Sequence, residues 1–193
     1  MTKTRLEAFS DGVIAILITI MVLELKPPHG TSWEVIKPIL PTLLSYVISF
    51  IIIAIYWGNH HHLLHTVTHV NSQIIWANMN LLFWISLIPF ATAWMGENDF
   101  SSGTVAIYAG LHTFCGLAYY FLLQAIMKTI PEHSPLRDIL NKQSRKGLMS
   151  FGLFAVAIPA AFYYPVISEC IFGLIMILWW IPDRNIERSA KEE

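Results

Sequence analysis

Charge is scarce in this sequence. Among 193 residues there are twelve Lys or Arg and thirteen Asp or Glu, 13% in all, against 55% hydrophobic residues. Soluble domains carry roughly twice that charged fraction, so the solvent this composition suits is lipid. The net charge is −1, and with no basic, aromatic-interleaved patch present no nucleic-acid partner is expected. Cysteine is equally sparse. Cys115 and Cys170 both lie inside apolar runs, which excludes a disulfide framework and reads as packing. No basic n-region or small-residue cleavage site surrounds Val13–Leu25, and Glu7 and Asp11 stand where a signal peptide would be positive. Internal repeats and low-complexity tracts are also missing.

What is there are apolar runs of about the length that crosses a bilayer. Six are bounded by charged or Pro/Gly-rich breaks: Leu6–Leu25, Ile39–Trp57, Ile74–Met95, Val105–Met127, Leu148–Tyr164 and Val166–Ile181. They predict an all-α membrane protein, a single domain over residues 1–193 with six transmembrane helices. An even number of spans puts both termini on one side. That side holds Lys3, Arg5, Lys128, Arg137, Lys142, Arg145, Lys146, Arg184, Arg188 and Lys191, whereas the other holds Lys26 and Lys37. This asymmetry predicts cytoplasmic termini. Trp33, Trp57, Trp76, Trp94, Trp179 and Trp180 fall near span ends, as an interfacial belt requires. Ala106, Gly110 and Gly116 would let another helix approach the fourth span closely.

The first span carries polar residues beneath its apolar run. At 100° per residue, Arg5, Phe9, Gly12, Ile16, Thr19, Ile20 and Leu23 share one side of a helix. Glu7, Asp11, Ile14, Ile18 and Met21 take the opposite side, with Ser10 beside them. A carboxylate at the depth of Asp11 is costly unless partnered, so its face is expected to lie against polar groups of other helices. The candidates are Trp57, His60 and His61 at the end of the second span, and Asn78 and Asn80 at the start of the third. A hydrogen-bond network among them satisfies all of them at once. One side of the helix is then anchored and the other left free.

Five histidines, His60, His61, His62, His65 and His69, crowd ten residues. The i,i+4 pairs His61/His65 and His65/His69 can seat a metal on a helix. The plainer reading is a polar helix end whose imidazoles bond one another and water. No Asp or Glu lies between Asn59 and Asn80 to complete a ligand set, and His112 is the one buried haem partner on offer, so no metal and no cofactor is expected.

Arg5, Phe9, Ser10 and Asp11 spell Arg-x-x-x-Phe-Ser-Asp at the start of the first span. With Trp57-x-Asn59-His60-His61, Trp76-x-Asn78 and Pro89-Phe90, the chain resembles the prokaryotic relatives of the endolysosomal potassium channel transmembrane protein 175. The resemblance implies a homotetramer in a prokaryotic cell membrane, with the first helix of each subunit lining a central pore. It implies a potassium-selective cation channel, modestly selective over sodium, in which a hydrophobic constriction replaces the usual filter. By position, Ile16 matches the narrowest ring, Ile20 and Leu23 the apolar layers above it, and Thr19 a hydroxyl near the constriction. Arg5, Phe9, Ser10, Asp11, Trp57, Asn78 and one of His60 and His61 match a structural packing network. The permeant ion would be potassium, and no enzymatic activity is implied.

The residues agree on one point without that likeness. No Thr-Val-Gly-Tyr-Gly loop is present, so a carbonyl filter of the ordinary potassium-channel kind is excluded. By pattern alone, Ile16, Ile20 and Leu23 also fit a lipid-facing or core stripe. Two other functions stay open: a secondary transporter, which needs a polar midplane site, and a membrane protein holding a metal or haem at its histidine cluster.

Overall fold

The computed structural model describes residues 1–180, all helix and loop. Ile181, Arg184, Arg188 and Lys191, which enter the sixth span and the charge count, lie outside the described residues. Seven helices form six apolar passes: α1 (Lys3–Met21), α2 (Leu40–His65), α3 (Ser72–Ser86), α4 (Ile88–Glu97), α5 (Ser102–Met127), α6 (Pro135–Tyr163) and α7 (Pro165–Trp180). Five passes are long and apolar enough to cross a membrane, and the last, over Pro165–Trp179, is shorter. Helices are the form in which each pass satisfies its own backbone polar groups in lipid.

Helix ends follow local chemistry. The third pass is broken at Leu87 between α3 and α4 because Pro89, in the first turn of α4, has no N–H to continue the ladder. Asn71 caps α3, its Oδ1 accepting from Ile74 N at 2.9 Å, so the helix starts two residues before the apolar run at Ile74. α2 continues to His65, eight residues past Trp57, because no proline and only the single Gly58, which a helix tolerates, intervene before Thr66. At 1.5 Å per residue that extends it about 12 Å and carries His60 and His61 on helix rather than loop. α6 begins thirteen residues before Leu148, at Pro135, with Ser134 Oγ accepting from Leu136 N at 3.3 Å. Its first half is amphipathic, burying Leu136, Leu140 and Gln143 while Arg137, Lys142 and Arg145 stay at the surface. α1 ends at Met21 and tightens into a 3-10 turn over Val22–Glu24.

α5 is the hub. Helices α3, α4, α6 and α7 pack against it, and it buries Tyr108, His112, Cys115, Tyr119 and Leu122 among others. Cys170, by contrast, is exposed on α7, so only one of the two cysteines serves packing. α2 and α4 cross closely at Gly96, where a Cβ would sit 2.6 Å from Thr42 Cα. A glycine is required there by contact rather than by backbone angle. α1 lies at the edge, touching α2, α3 and α4 and leaving its remaining face uncovered.

Candidate functional site: the two faces of the first helix

α1 buries one stripe, Leu6, Ser10, Ile14, Leu17 and Met21, at intervals of three to four residues. Its polar member is held by a directional chain of hydrogen bonds. Ser10 Oγ donates to the carbonyl of Leu6 at 2.8 Å, one turn back. With that proton committed, Ser10 Oγ accepts from Asn78 Nδ2 of α3 at 2.9 Å. The amide orientation so fixed turns Asn78 Oδ1 toward His60 Nε2 of α2, 2.6 Å away. His60 Nε2 therefore carries the hydrogen, and Nδ1 is left buried without a partner among the described residues. Ser10 and Asn78 are fully buried and His60 nearly so. Three helices are thus locked in register by one chain of polar contacts.

Asp11 stands apart from this chain. It is half-buried, and its Oδ1 accepts from Trp57 Nε1 at 3.0 Å near the surface of α2. The expected single network is two: a buried His60–Asn78–Ser10 chain and an outer Trp57–Asp11 pair. Of the adjacent histidines, His60 makes the buried bond. His61 is exposed and its ring lies 5.9 Å from that of Trp57 and 6.4 Å, nearly parallel, from His65. The reason is helix phase, since 100° of rotation carries His61 off the face that meets α3. Asn80 is exposed and takes no part. Arg5 and Phe9 also lie outside both sets. They are exposed on the uncovered face, Phe9 by 47%, with no hydrogen-bond or ion-pair partner for Arg5 among the described residues. At the start of the helix, Lys3 donates to the carbonyl of His65 and pairs with Glu7 at 3.9 Å.

The uncovered face carries Ile16, Ile20 and Leu23, exposed by 57%, 41% and 75%. Thr19 is exposed beside them, and its Oγ1 donates to the Ile16 carbonyl at 2.8 Å. Its proton is therefore occupied and its lone pairs point away from the backbone. Ala8, Gly12 and Ala15 run along the same side, all exposed. Glu24 is exposed beyond the last apolar residue. Nothing on this face is shaped for bond-making chemistry: a helix pinned on one side presents a bare aliphatic and hydroxyl stripe on the other.

A second buried polar chain lies deeper. Ser49 Oγ is 2.8 Å from Tyr108 OH, and Thr92 Oγ1 is 2.7 Å from both Ser49 Oγ and the Ile88 carbonyl. It ties α2, α4 and α5 together at the break of the third pass. Tyr108 and Thr92 carry no signal in the sequence, because their hydroxyls sit among aromatic and aliphatic neighbours without a motif. His112, its two ring nitrogens unpartnered among the described residues, is enclosed by the rings of Tyr108 at 4.5 Å and Phe154 at 5.1 Å. No group of three or more His, Cys, Asp or Glu gathers as a metal site among the described residues.

Comparison with known proteins gives a consistent outcome. Residues 5–89 match the family described as the endosomal/lysosomal potassium channel TMEM175. A potassium channel of Chryseobacterium sp. (strain P1-3) is 47% identical over 192 residues, covering 100% of both chains. A potassium channel of Streptomyces collinus is 32% identical over 133 residues, 65% of each chain. Among solved structures, the crystal structure of a lysosomal potassium-selective channel TMEM175 homologue from Chamaesiphon minutus matches with a TM-score of 0.78. Its identity is 25% over 97% of both chains.

Proposed function

Because this chain, a multi-pass integral membrane protein, belongs to the TMEM175 family of potassium channels, we propose that four copies conduct potassium through a pore lined by their α1 helices. The observation that carries this reading is the division of α1 into a locked face and a bare one. Ser10, Asn78 and His60 fix the helix so that Ile16, Ile20 and Leu23 project from the edge of the subunit. Bare faces elsewhere carry aromatics, Phe83, Phe114, Phe121 and Phe162, as lipid-facing surfaces often do. The bare face of α1 has one aromatic, Phe9, near its start and otherwise sets Ala8, Gly12 and Ala15 beside its aliphatic stripe, small residues that allow helices to approach closely. Four such edges brought together around an axis enclose a narrow path.

Ile16 is assigned the narrowest ring, Ile20 and Leu23 the apolar layers beyond it, and Thr19 a hydroxyl at the constriction. An apolar ring offers an ion no replacement for its water. Sodium holds its hydration shell more tightly than potassium, so dehydration alone favours potassium. A barrier difference of about 1.4 kcal/mol gives tenfold preference, and modest selectivity of that order is what such a ring can provide. The same ring closes the pore when it dewets. Glu24 gathers cations at the mouth beyond Leu23. Arg5, Phe9 and the Trp57–Asp11 pair stand at the opposite end, the cytoplasmic one on the charge asymmetry of the loops, in a prokaryotic cell membrane.

The test is potassium and sodium flux into liposomes holding the purified protein. Ile16→Asn keeps the ring wet, so conductance is maintained or raised while the potassium-to-sodium ratio falls toward one. Ile16→Met narrows the path and lowers flux. An unchanged ratio in the asparagine variant places the constriction elsewhere and defeats the assignment.

A further inference from the structure

Two histidine pairs at helical spacing stand in the sequence, His61/His65 and His65/His69, and the fold brings one of them into register. α2 ends at His65, so His69 lies beyond the helix, its Nδ1 3.3 Å from Thr68 Oγ1. His60 faces inward, and its Nε2 is committed to Asn78. His62 is rotated 100° from His61, its ring edge-on to that of His61, and lines a different face with Gly58 and Asn59. His61 and His65 remain, both exposed on one face of the last turns, with ring centres 6.4 Å apart and planes within 19° of parallel. No hydrogen bond holds either ring among the described residues.

Two imidazoles one turn apart on one helix face can share a metal ion. A ligating nitrogen sits about 2.0–2.1 Å from zinc, which at a tetrahedral angle sets the two ring centres about 5 Å apart. The observed 6.4 Å closes to that by small rotations of two exposed side chains. The surroundings suit a cation. α1 runs beside this end of α2 and brings Lys3, which donates to the His65 carbonyl and pairs with Glu7, and Asp11, which accepts from Trp57 Nε1. The ring of that Trp57 lies 5.9 Å from the His61 ring. Arg5 is turned to the opposite side of α1. Two carboxylates against one ammonium leave this end net negative, which raises the local concentration of cations. Imidazole selects zinc, copper and nickel, whereas magnesium and calcium prefer oxygen ligands. No third His, Cys, Asp or Glu completes the set among the described residues, so water fills the other positions and the ion exchanges.

We propose that His61 and His65 form a surface site for one exchangeable divalent transition-metal ion per chain, of the zinc and copper class. His61 and His65 stand about 6 and 12 Å beyond Trp57 along the helix, on the side of the termini. The ion joins the turn whose carbonyl receives Lys3, and so stiffens the contact between the end of α2 and the start of α1. The site rests on neither the pore assignment nor the oligomer.

The test is isothermal titration calorimetry of the full chain, purified in detergent through a histidine-free tag and stripped with a chelator. Zn²⁺ is expected to bind once per chain and Cu²⁺ more tightly, with no heat from Mg²⁺ or Ca²⁺. His61→Gln and, separately, His65→Gln should weaken Zn²⁺ by about tenfold or more, each removing one of two protein ligands. His62→Gln and His69→Gln are the controls and should leave the affinity unchanged. Electron paramagnetic resonance of the Cu²⁺ form should show two imidazole nitrogens in the unaltered protein and one in either variant at position 61 or 65. The proposal is overturned if Zn²⁺ fails to bind at millimolar concentration, or if either of those variants keeps its affinity. A single coupled nitrogen in the unaltered protein also overturns it. So does one ion for every two chains, because the ion then bridges chains instead of one helical turn. Ion flux is not the readout, so these outcomes leave the pore assignment to its own test.

Discussion

Removing one member of the buried His60–Asn78–Ser10 chain is expected to cost the burial penalty of the partner it leaves unsatisfied. In Ser10→Ala, Asn78 Nδ2 loses its 2.9 Å acceptor at a site with no solvent access. An unsatisfied buried neutral donor costs about 1–3 kcal/mol. Asn78→Leu keeps the volume but orphans the His60 Nε2 hydrogen, whose other nitrogen is already unpartnered, at a similar cost. The double variant leaves only the imidazole orphaned. Its loss should therefore equal that of Asn78→Leu alone, a coupling of about 1–3 kcal/mol between residues 68 positions apart. Trp57→Phe is the comparison, because it breaks a single bond at a half-exposed residue and leaves Asp11 reachable by water, at about 0.5–1.5 kcal/mol. Unfolding by SDS titration in mixed micelles gives the four free energies, and size-exclusion after a heat step gives the surviving oligomer. Additive losses for Ser10→Ala and Asn78→Leu, or a Trp57→Phe loss larger than either, refutes the directional chain.

Gly96→Ala should destabilise the chain by about 1–3 kcal/mol, because its Cβ meets Thr42 Cα at 2.6 Å and α4 must move off α2; the same SDS titration reads it, and an unchanged value shows that the crossing is loose. His112→Phe should leave stability equal or higher, since neither ring nitrogen has a partner to lose among the described residues and Tyr108 and Phe154 already form an aromatic wall. A loss above about 1 kcal/mol would reveal a bound water or partner serving the imidazole. Thr19→Val keeps shape and removes the outward lone pairs, so the potassium-to-sodium ratio in liposome flux should fall; a constant ratio removes Thr19 from the path.

The face-by-face reading of α1 was legible because helical periodicity is a property of the sequence alone. Ser10, Ile14 and Met21 fall on the buried side, and Ile16, Ile20 and Leu23 on the bare one, as 100° steps require. Helix ends were less legible where apolarity was taken as the signal for helix. The histidine run after Trp57 and the charged stretch before Leu148 are both helical, since each holds only one isolated glycine, Gly58 and Gly147, and no interior proline, and the second has Ser134 and Pro135 as cap and first turn. Those start signals, with Leu136, Leu140 and Gln143 at intervals of three and four, were sufficient to find the amphipathic half of α6.

The choice between His60 and His61 needed something that periodicity does not contain. Both lie on the same turn of α2, and either imidazole can bond an amide. What decides is the axial rotation of α2 against α3, which is fixed by contacts well away from the histidines, such as the Gly96 crossing and the Ser49–Tyr108–Thr92 chain. Once that rotation is set, Leu6 supplies the first acceptor, and each hydrogen in the chain has one direction open to it. Arg5 and Phe9 illustrate the converse. Their motif ties them to Ser10 in sequence, yet helical phase turns them to the uncovered side with Ile16. A fixed contact for those two residues can then come only from another surface meeting α1. On the tetramer reading that surface is the neighbouring subunit, so Phe9→Ala should weaken oligomer assembly while leaving the fold of the single chain intact. If the oligomer survives with its stability unchanged, Phe9 makes no contact between subunits and that contact lies further along the helix.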